Sequence, residues 1–233
     1  MQDALQRAVD RGAHIHVTSE ATGAEAVTHL GVAADRLHVV PVAISPVGPG
    51  DADRGRETAG SDEYVLAVGT TEPRKGLPAL PRAVARLDRR LTLVVVGPVG
   101  AAESALEAAV QAAGIRDRYR RIGVVDDRSR SDLMRGATVL AYPSLAEGFG
   151  LPPLEALTVG CPVVATEVGA LPELIGDFVD LVPPHDADAL TEALRETTAR
   201  PPGVPDALVE RLSAMTWDRA AEKMVEIYRR AAA

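Results

Sequence analysis

The sequence predicts an α/β domain built on a doubly wound parallel sheet, Rossmann-like in architecture. From Tyr64 onward, apolar strand candidates alternate with helix candidates five or six times. Strands such as LVVVG (93–97) are apolar on both faces, as expected where helices cover both sides of a parallel sheet. The intervening segments carry apolar stripes at helical spacing, for example Leu80, Val84 and Leu87, or Ala187, Leu190, Ala193 and Leu194.

Taken in order, HIHVT (14–18) reads as a strand and Ser19 to Leu30 as a helix. Ser19 is its N-cap, and Glu20 is a favourable charge near the positive end. LHVVPV (37–42) reads as a second strand. The Pro-, Gly- and charge-rich stretch SPVGPGDADRGRETAGSDE (45–63) breaks every periodic pattern and reads as a linker. Strand candidates then follow at YVLAVG, LTLVVVG, RIGVV (121–125), ATVLAYP, CPVVAT and FVDLVP. Between them lie helix candidates through Leu80–Leu87, Glu103–Ala113, Ser131–Arg135 and Pro153–Val159, with one from Ala187 after the last strand. Trp217, Ala221, Met224 and Tyr228 recur at helical spacing, predicting a long amphipathic terminal helix. The organisation is therefore residues 1–45, a linker at 46–62, the main domain at 63–212 and a terminal helix at 213–233.

Composition narrows the function. The 233 residues are 46% hydrophobic and 25% charged, the balance of a soluble globular protein. A net charge of −8 argues against a general nucleic-acid surface. The single Cys161 excludes an internal disulfide framework and a cysteine-based zinc cluster, and its apolar neighbours suit a buried small hydrophobe. No apolar run approaches the roughly 18 residues of a membrane span, and the N-terminus lacks a signal-peptide pattern. The cytoplasm is the expected location, with a peripheral position at the inner membrane face left open.

Ligands of open α/β sheets sit at the carboxyl ends of the strands. Three candidate loops fall there: GTTEPRKG (69–76), GPVG (97–100) and PSLAEGFGLP (143–152). Arg74 and Lys75 lie just before a helix candidate, where two cations oppose the helix dipole unless an anion lies between them. A solvated basic loop accounts for the pair equally well. Gly148 and Gly150 allow close backbone approach, and a proline can begin the helix that follows Leu151. Glu155, in the expected first turn of that helix, can accept hydrogen bonds from a ribose diol, and Glu147 from sugar hydroxyls. Taken one at a time, a carboxylate complementing the helix dipole and an exposed loop acid are the simpler explanations.

The motifs together carry a resemblance. EGFGLPPLEA (147–156) looks like the Glu-x7-Glu signature of retaining glycosyltransferases of family 4, which have the two-domain GT-B fold. VGTTEPRKG is similar to that family's diphosphate-binding loop and YPSLAEGFGLPPLEAL to its donor loop. CPVVATEVGALPEL, PPHDADAL and WDRAAEKMVEIY also match, so the likeness runs from about Thr18 to the end. It implies that the chain is the C-terminal, donor-binding half of a GT-B enzyme, with residues 1–45 the tail of the N-terminal acceptor domain. Arg74 and Lys75 would bind the nucleotide diphosphate and stabilise it as leaving group. Glu147, with the backbone of Gly148, Phe149, Gly150 and Leu151, would hold the donor sugar and its phosphates. Glu155 would bind the ribose, Gly69 would also belong to the donor-binding residues, and the base would lie against the loop around Ile122–Val124. No cofactor or metal is implied, the cations taking its place. The implied partners are a GDP- or UDP-linked sugar, a carbohydrate or lipid-linked acceptor, and a missing N-terminal domain or partner chain. The EPRK form resembles mannosyltransferase-like members.

Two departures qualify this. Thr70 follows Gly69 where many members have arginine, and the acceptor domain is reduced to its tail. A non-catalytic module that binds a nucleotide sugar or a partner is therefore the alternative to a transferase. Among other chemistries, the two DAD triplets (51–53 and 186–188) fall in the linker and at a helix start, with Asp186 a natural N-cap. No Gly-x-Gly-x-x-Gly follows the first strand, no Gly-x-Ser-x-Gly elbow is present, and the five histidines lack metal-ligand spacing.

Overall fold

A computed structural model describes residues 2–45, 48, 50–200 and 203–231. Its centre is a six-stranded, all-parallel sheet: β3 (Tyr64–Val68), β4 (Thr92–Val96), β5 (Tyr119–Gly123), β6 (Val139–Tyr142), β7 (Val163–Thr166) and β8 (Leu181–Val182). The spatial order is β5-β4-β3-β6-β7-β8. The chain starts in the middle, winds outward one way, then returns and winds the other way. The order reverses between β3 and β6, which opens a crevice at their carboxyl ends.

Alternation along β3 shows why both faces are covered. Tyr64 and Leu66 enter a core with α6 (Asp127–Gly136), α7 (Leu151–Thr158) and α10 (Asp206–Ser213). Val65 and Ala67 enter the opposite core with α4 (Leu80–Ala85), α5 (Glu103–Ala113) and α9 (Ala187–Ala199). Each right-handed crossover delivers one amphipathic helix to one of these faces. Cys161 is buried in the first core, and burial pushes its thiol up to about 12, so it is an inert packing group.

A smaller unit precedes the sheet. After α1 (Gln2–Asp10), the parallel pair β1 (Ile15–Val17) and β2 (Leu37–Val39) flanks α2 (Glu20–Leu30) around Val17, Ala26 and Val32. Ser19 caps α2 by accepting from the Thr22 amide, as its sequence predicts. The Glu173 carboxylate, on α8 (Leu171–Ile175), accepts from the amides of Glu20 and Ala21 and ties this unit to the main domain.

Several boundaries differ from expectation. The stretch read as a linker contains α3 (Ala52–Ala59), capped by Asp51 and closed by Gly60 in the left-handed conformation. This helix lacks an apolar stripe because it packs through small residues: Gly55 and Ala59 are its buried positions. A Cβ on Gly55 meets the Asp132 carbonyl oxygen of α6 at 2.0 Å. Residues 46, 47 and 49 of the expected linker, and 232–233 of the expected terminal helix, lie outside the described residues. Helix α6 is longer than the expected 131–135, because Asp126 caps it by accepting from the Ser129 amide. Strand β5 starts two residues early, where Arg120 and Arg121 on an edge strand hide the apolar signal.

The terminal helix α11 (Trp217–Ala231) has no buried residue, and Trp217 and Tyr228 are 60% and 65% exposed. No helix of the described residues is long and apolar enough to cross a membrane.

The α3–α6 contact gives a test with an unusual sign. On a free helix, Gly→Ala stabilises by about 1 kcal/mol. Gly55→Ala is expected to destabilise by about 1–3 kcal/mol, because the clash is with backbone. Urea denaturation reads the sign directly.

Candidate functional site

The crevice between β3 and β6 holds the predicted residues. The three loops converge there. The Thr71 amide donates to the Pro98 carbonyl, and the Ala102 amide to that of Thr71. The Leu145 amide donates to the Arg74 carbonyl at 2.7 Å. Gly97 and Gly76 permit the approach: a Cβ on Gly97 falls 2.3 Å from the Gly69 oxygen, and one on Gly76 falls 2.1 Å from that of Pro143. Gly69 itself lies beside the Lys75 stem.

Arg74 and Lys75 are not at a helix N-terminus. They sit in a 3-10 turn, Pro73–Lys75, separated from α4 by Gly76 and a second 3-10 turn, Leu77–Ala79. The opposing dipole expected from the sequence is therefore absent, and their charge is met by a carboxylate instead. Glu147 Oε1 accepts from Lys75 Nζ at 2.5 Å, from Arg74 Nη1 at 3.1 Å and from Ser144 Oγ at 2.6 Å. Lys75 also donates to the Tyr142 hydroxyl at 2.8 Å. The side chains of Lys75 and Glu147 are only 11% and 8% exposed, whereas Arg74 stays 55% exposed. Burial by itself pushes Glu147 upward, but the Lys75 and Ser144 hydrogen bonds outweigh it and hold the carboxyl below the ordinary glutamate value. Its other oxygen takes none of these three bonds. Glu147 is thus a buried ion-pair partner, not an exposed loop acid.

The glycine turn follows. Gly150, at φ 83°, caps α7, and a Cβ there falls 2.8 Å from Leu171 Cδ2. Pro152 and Pro153 occupy two of the first three helical positions and carry no amide hydrogen. The amides of Gly148, Phe149, Gly150 and Leu151 donate to no other described residue. Gly148 has open space at its Cα, while the Phe149 ring is buried in the core. The loop is braced from behind: the Ala170 amide donates to the Gly148 carbonyl at 3.2 Å. Two side-chain cations and four amides without a described partner thus lie in neighbouring loops, the kind of groups that can meet an anion.

Glu155 is the fifth residue of α7, beyond the first turn, because the helix starts at Leu151 and not at Pro153. It is buried at 7% exposure; its backbone carbonyl accepts from the Thr158 hydroxyl, but its carboxylate accepts no hydrogen bond from a described residue. The nearest cation, Arg130 Nη2 on α6, is 3.7 Å away. Burial raises the Glu155 carboxyl, Arg130 opposing and Asp127 adding to the shift. Of the base-side residues, Val124 stands 73% exposed after β5. The DAD triplets are capping groups: Asp51 caps α3 and Asp186 caps α9.

Sequence reasoning missed the supporting residues. Tyr142 and Ser144 hold Lys75 and Glu147 from β6 and its loop. Glu103 accepts from Thr71 and pairs with Arg121 at 2.9 Å, fixing the loop after β3 to α5 and β5. No spacing rule reaches the Lys75–Tyr142, Thr71–Glu103 and Glu103–Arg121 contacts, since each joins separate segments, whereas Ser144 lies only three residues before Glu147 in the same loop.

The two glutamates carry opposite signs. The contribution of Glu147 is present above the ordinary glutamate value and disappears as pH falls through its depressed value. That of Glu155 is greatest below the ordinary value and is lost as pH rises through its raised one. At pH 7, Glu147→Gln is expected to destabilise by about 2–3 kcal/mol, leaving Lys75 short of a counter-charge. Glu155→Gln is expected to stabilise by about 0.5–1 kcal/mol. Denaturant titrations at pH 7 and pH 4 check both signs.

The chain is similar in sequence and in fold to known proteins. D-inositol 3-phosphate glycosyltransferase of Streptomyces griseus is 35% identical, over 88% of this chain and 48% of its own length. MMP alpha-(1->4)-mannosyltransferase of Mycolicibacterium hassiacum is 30% identical, over 92% of this chain and 53% of its own. Sucrose-phosphate synthase from Thermosynechococcus elongatus superposes with a TM-score of 0.80 at 28% identity, covering 92% of this chain and 57% of that one. The chain spans about half the length of the curated relatives it matches. The family model for glycosyl transferases group 1 matches residues 51–214, more than half of the chain, and the chain belongs to that family.

Proposed function

We propose that the chain supplies the donor-binding half of a retaining glycosyltransferase that moves a hexose from a nucleoside diphosphate to an acceptor. The observation that carries this reading is the cluster of Lys75, Arg74 and Glu147 beside four free amides, at the reversal point of a parallel sheet. In the reaction, the bond between the anomeric carbon and the β-phosphate oxygen breaks. The acceptor oxygen bonds to the same face of that carbon and passes its proton to the departing diphosphate oxygen, on which the electron pair of the broken bond stays. Lys75, Arg74 and the amides of Gly148 to Leu151 oppose that growing charge. This is transition-state stabilisation by fixed positive groups, and no metal ion is assigned a part in it.

Glu147 has one oxygen outside its three short bonds and offers it to hydroxyls of the sugar. Glu155, beyond the first turn of α7 and met among the described residues only by the long Arg130 ion pair, offers its carboxylate to the ribose diol. The mannosyltransferase named among the relatives favours mannose as the sugar, and GDP and UDP both remain open as the carrier. The acceptor side of the cleft belongs to chain beyond the donor half, or to a partner.

Calorimetry with GDP, UDP and their sugars tests this. Binding by the unaltered chain is expected, with Lys75→Ala weakening it about 10–100-fold, the worth of a charge-assisted hydrogen bond. Glu155→Gln is expected to cost several-fold. Unchanged affinity in both variants contradicts the site. A transfer assay separates the donor half from a binding module, since a binding module forms no glycoside even when an acceptor domain is added.

A further inference from the structure

An ammonium group has three N–H donors. Lys75 gives one to Glu147 at 2.5 Å and one to the Tyr142 hydroxyl at 2.8 Å. The third is left for a ligand, and its direction is set once the other two are fixed. We infer that Tyr142 is a positioning residue, which aims the remaining Lys75 N–H at the donor diphosphate. The inference rests on the reading of Lys75 as a diphosphate ligand.

Three features of Tyr142 support the role. It is the last residue of β6, 2% exposed, with its strand registered against Ala165 of β7, so its ring cannot wander. The Lys75 ammonium lies 4.9 Å from the ring centroid, out beyond the hydroxyl end of the ring, so Tyr142 reaches it through the hydroxyl and not through the ring face. The phenol is kept neutral: burial, then the Glu147 charge, push its ionisation upward.

Neutrality is what the position requires. A second carboxylate there would cancel the charge that a diphosphate needs. A plain phenyl would leave a long, flexible side chain held at one point only, to be ordered when ligand arrives. A buried hydroxyl directs the lysine without discharging it. This separates the two neighbours of Lys75: Glu147 balances its charge, and Tyr142 fixes its direction.

Tyr142→Phe keeps the ring and its packing and removes only the hydroxyl. Calorimetry on the full chain compares GDP and UDP with GMP and UMP. The variant is expected to bind the diphosphates about 5–10-fold more weakly and the monophosphates as the unaltered chain does. In a Lys75→Ala background, Tyr142→Phe is expected to add no further loss, because its effect runs through the lysine. Three results overturn the inference: diphosphate affinity unchanged by Tyr142→Phe, equal losses for mono- and diphosphates, or a loss that persists without Lys75. If the unaltered chain binds no diphosphate, the reading of the whole site falls and takes the inference with it. If binding depends on Lys75 but not on Tyr142, only the inference falls.

Discussion

The structure of this chain is organised around an ion pair that water barely reaches: the Lys75 ammonium against the Glu147 carboxylate at 2.5 Å. Such a pair is costly to assemble, since each charge loses hydration and only good geometry restores the difference. Here the geometry comes from three directions. The turn after β3 brings Lys75, the loop after β6 brings Glu147 and Ser144, and the end of β6 brings Tyr142. The pair can form only because β3 and β6 are neighbours in the sheet, which is the consequence of its winding order. Fold and site are thus linked by one topological fact.

Pre-assembly also bears on function. A cation that already has a counter-ion is held in place before any ligand arrives, so on the proposed function an incoming diphosphate would meet a fixed group and not a disordered one. The more exposed Arg74 supplies a second charge at the rim, where solvent keeps it adaptable. The loops that carry these groups are themselves braced. Thr71, Glu103 and Arg121 tie the β3 loop to α5 and β5, and the turn before α8 supports Gly148. Glu173, on that same α8, caps α2, so the brace behind the glycine turn is continuous with the link to the first βαβ unit.

Much of this was legible in the sequence, and the reasons are physical. The strands of the main sheet announce themselves because central parallel strands must be apolar on both faces. The helices Glu103–Ala113 and α9 show because they bury a stripe. The loops around Lys75 and Glu147 show because glycine, proline and charge concentrate where the backbone turns at the sheet edge. What stayed hidden depends on contacts between distant segments. Helix α3 buries Gly55 and Ala59 against α6, and small residues leave no hydrophobic signature. Tyr142 looks like one more core residue of a strand until Lys75 is seen at its hydroxyl. The charge on Lys75 looked unbalanced because its counter-ion lies 72 residues away in the chain.

The most direct test of the central claim is a crystal structure of this chain with a nucleoside diphosphate. The account predicts the β-phosphate within about 3 Å of Lys75 Nζ, with amides from Gly148 to Leu151 on its other side and the ribose hydroxyls at Glu155. A diphosphate seated elsewhere, with the Lys75 ammonium out of reach of any phosphate oxygen, contradicts it.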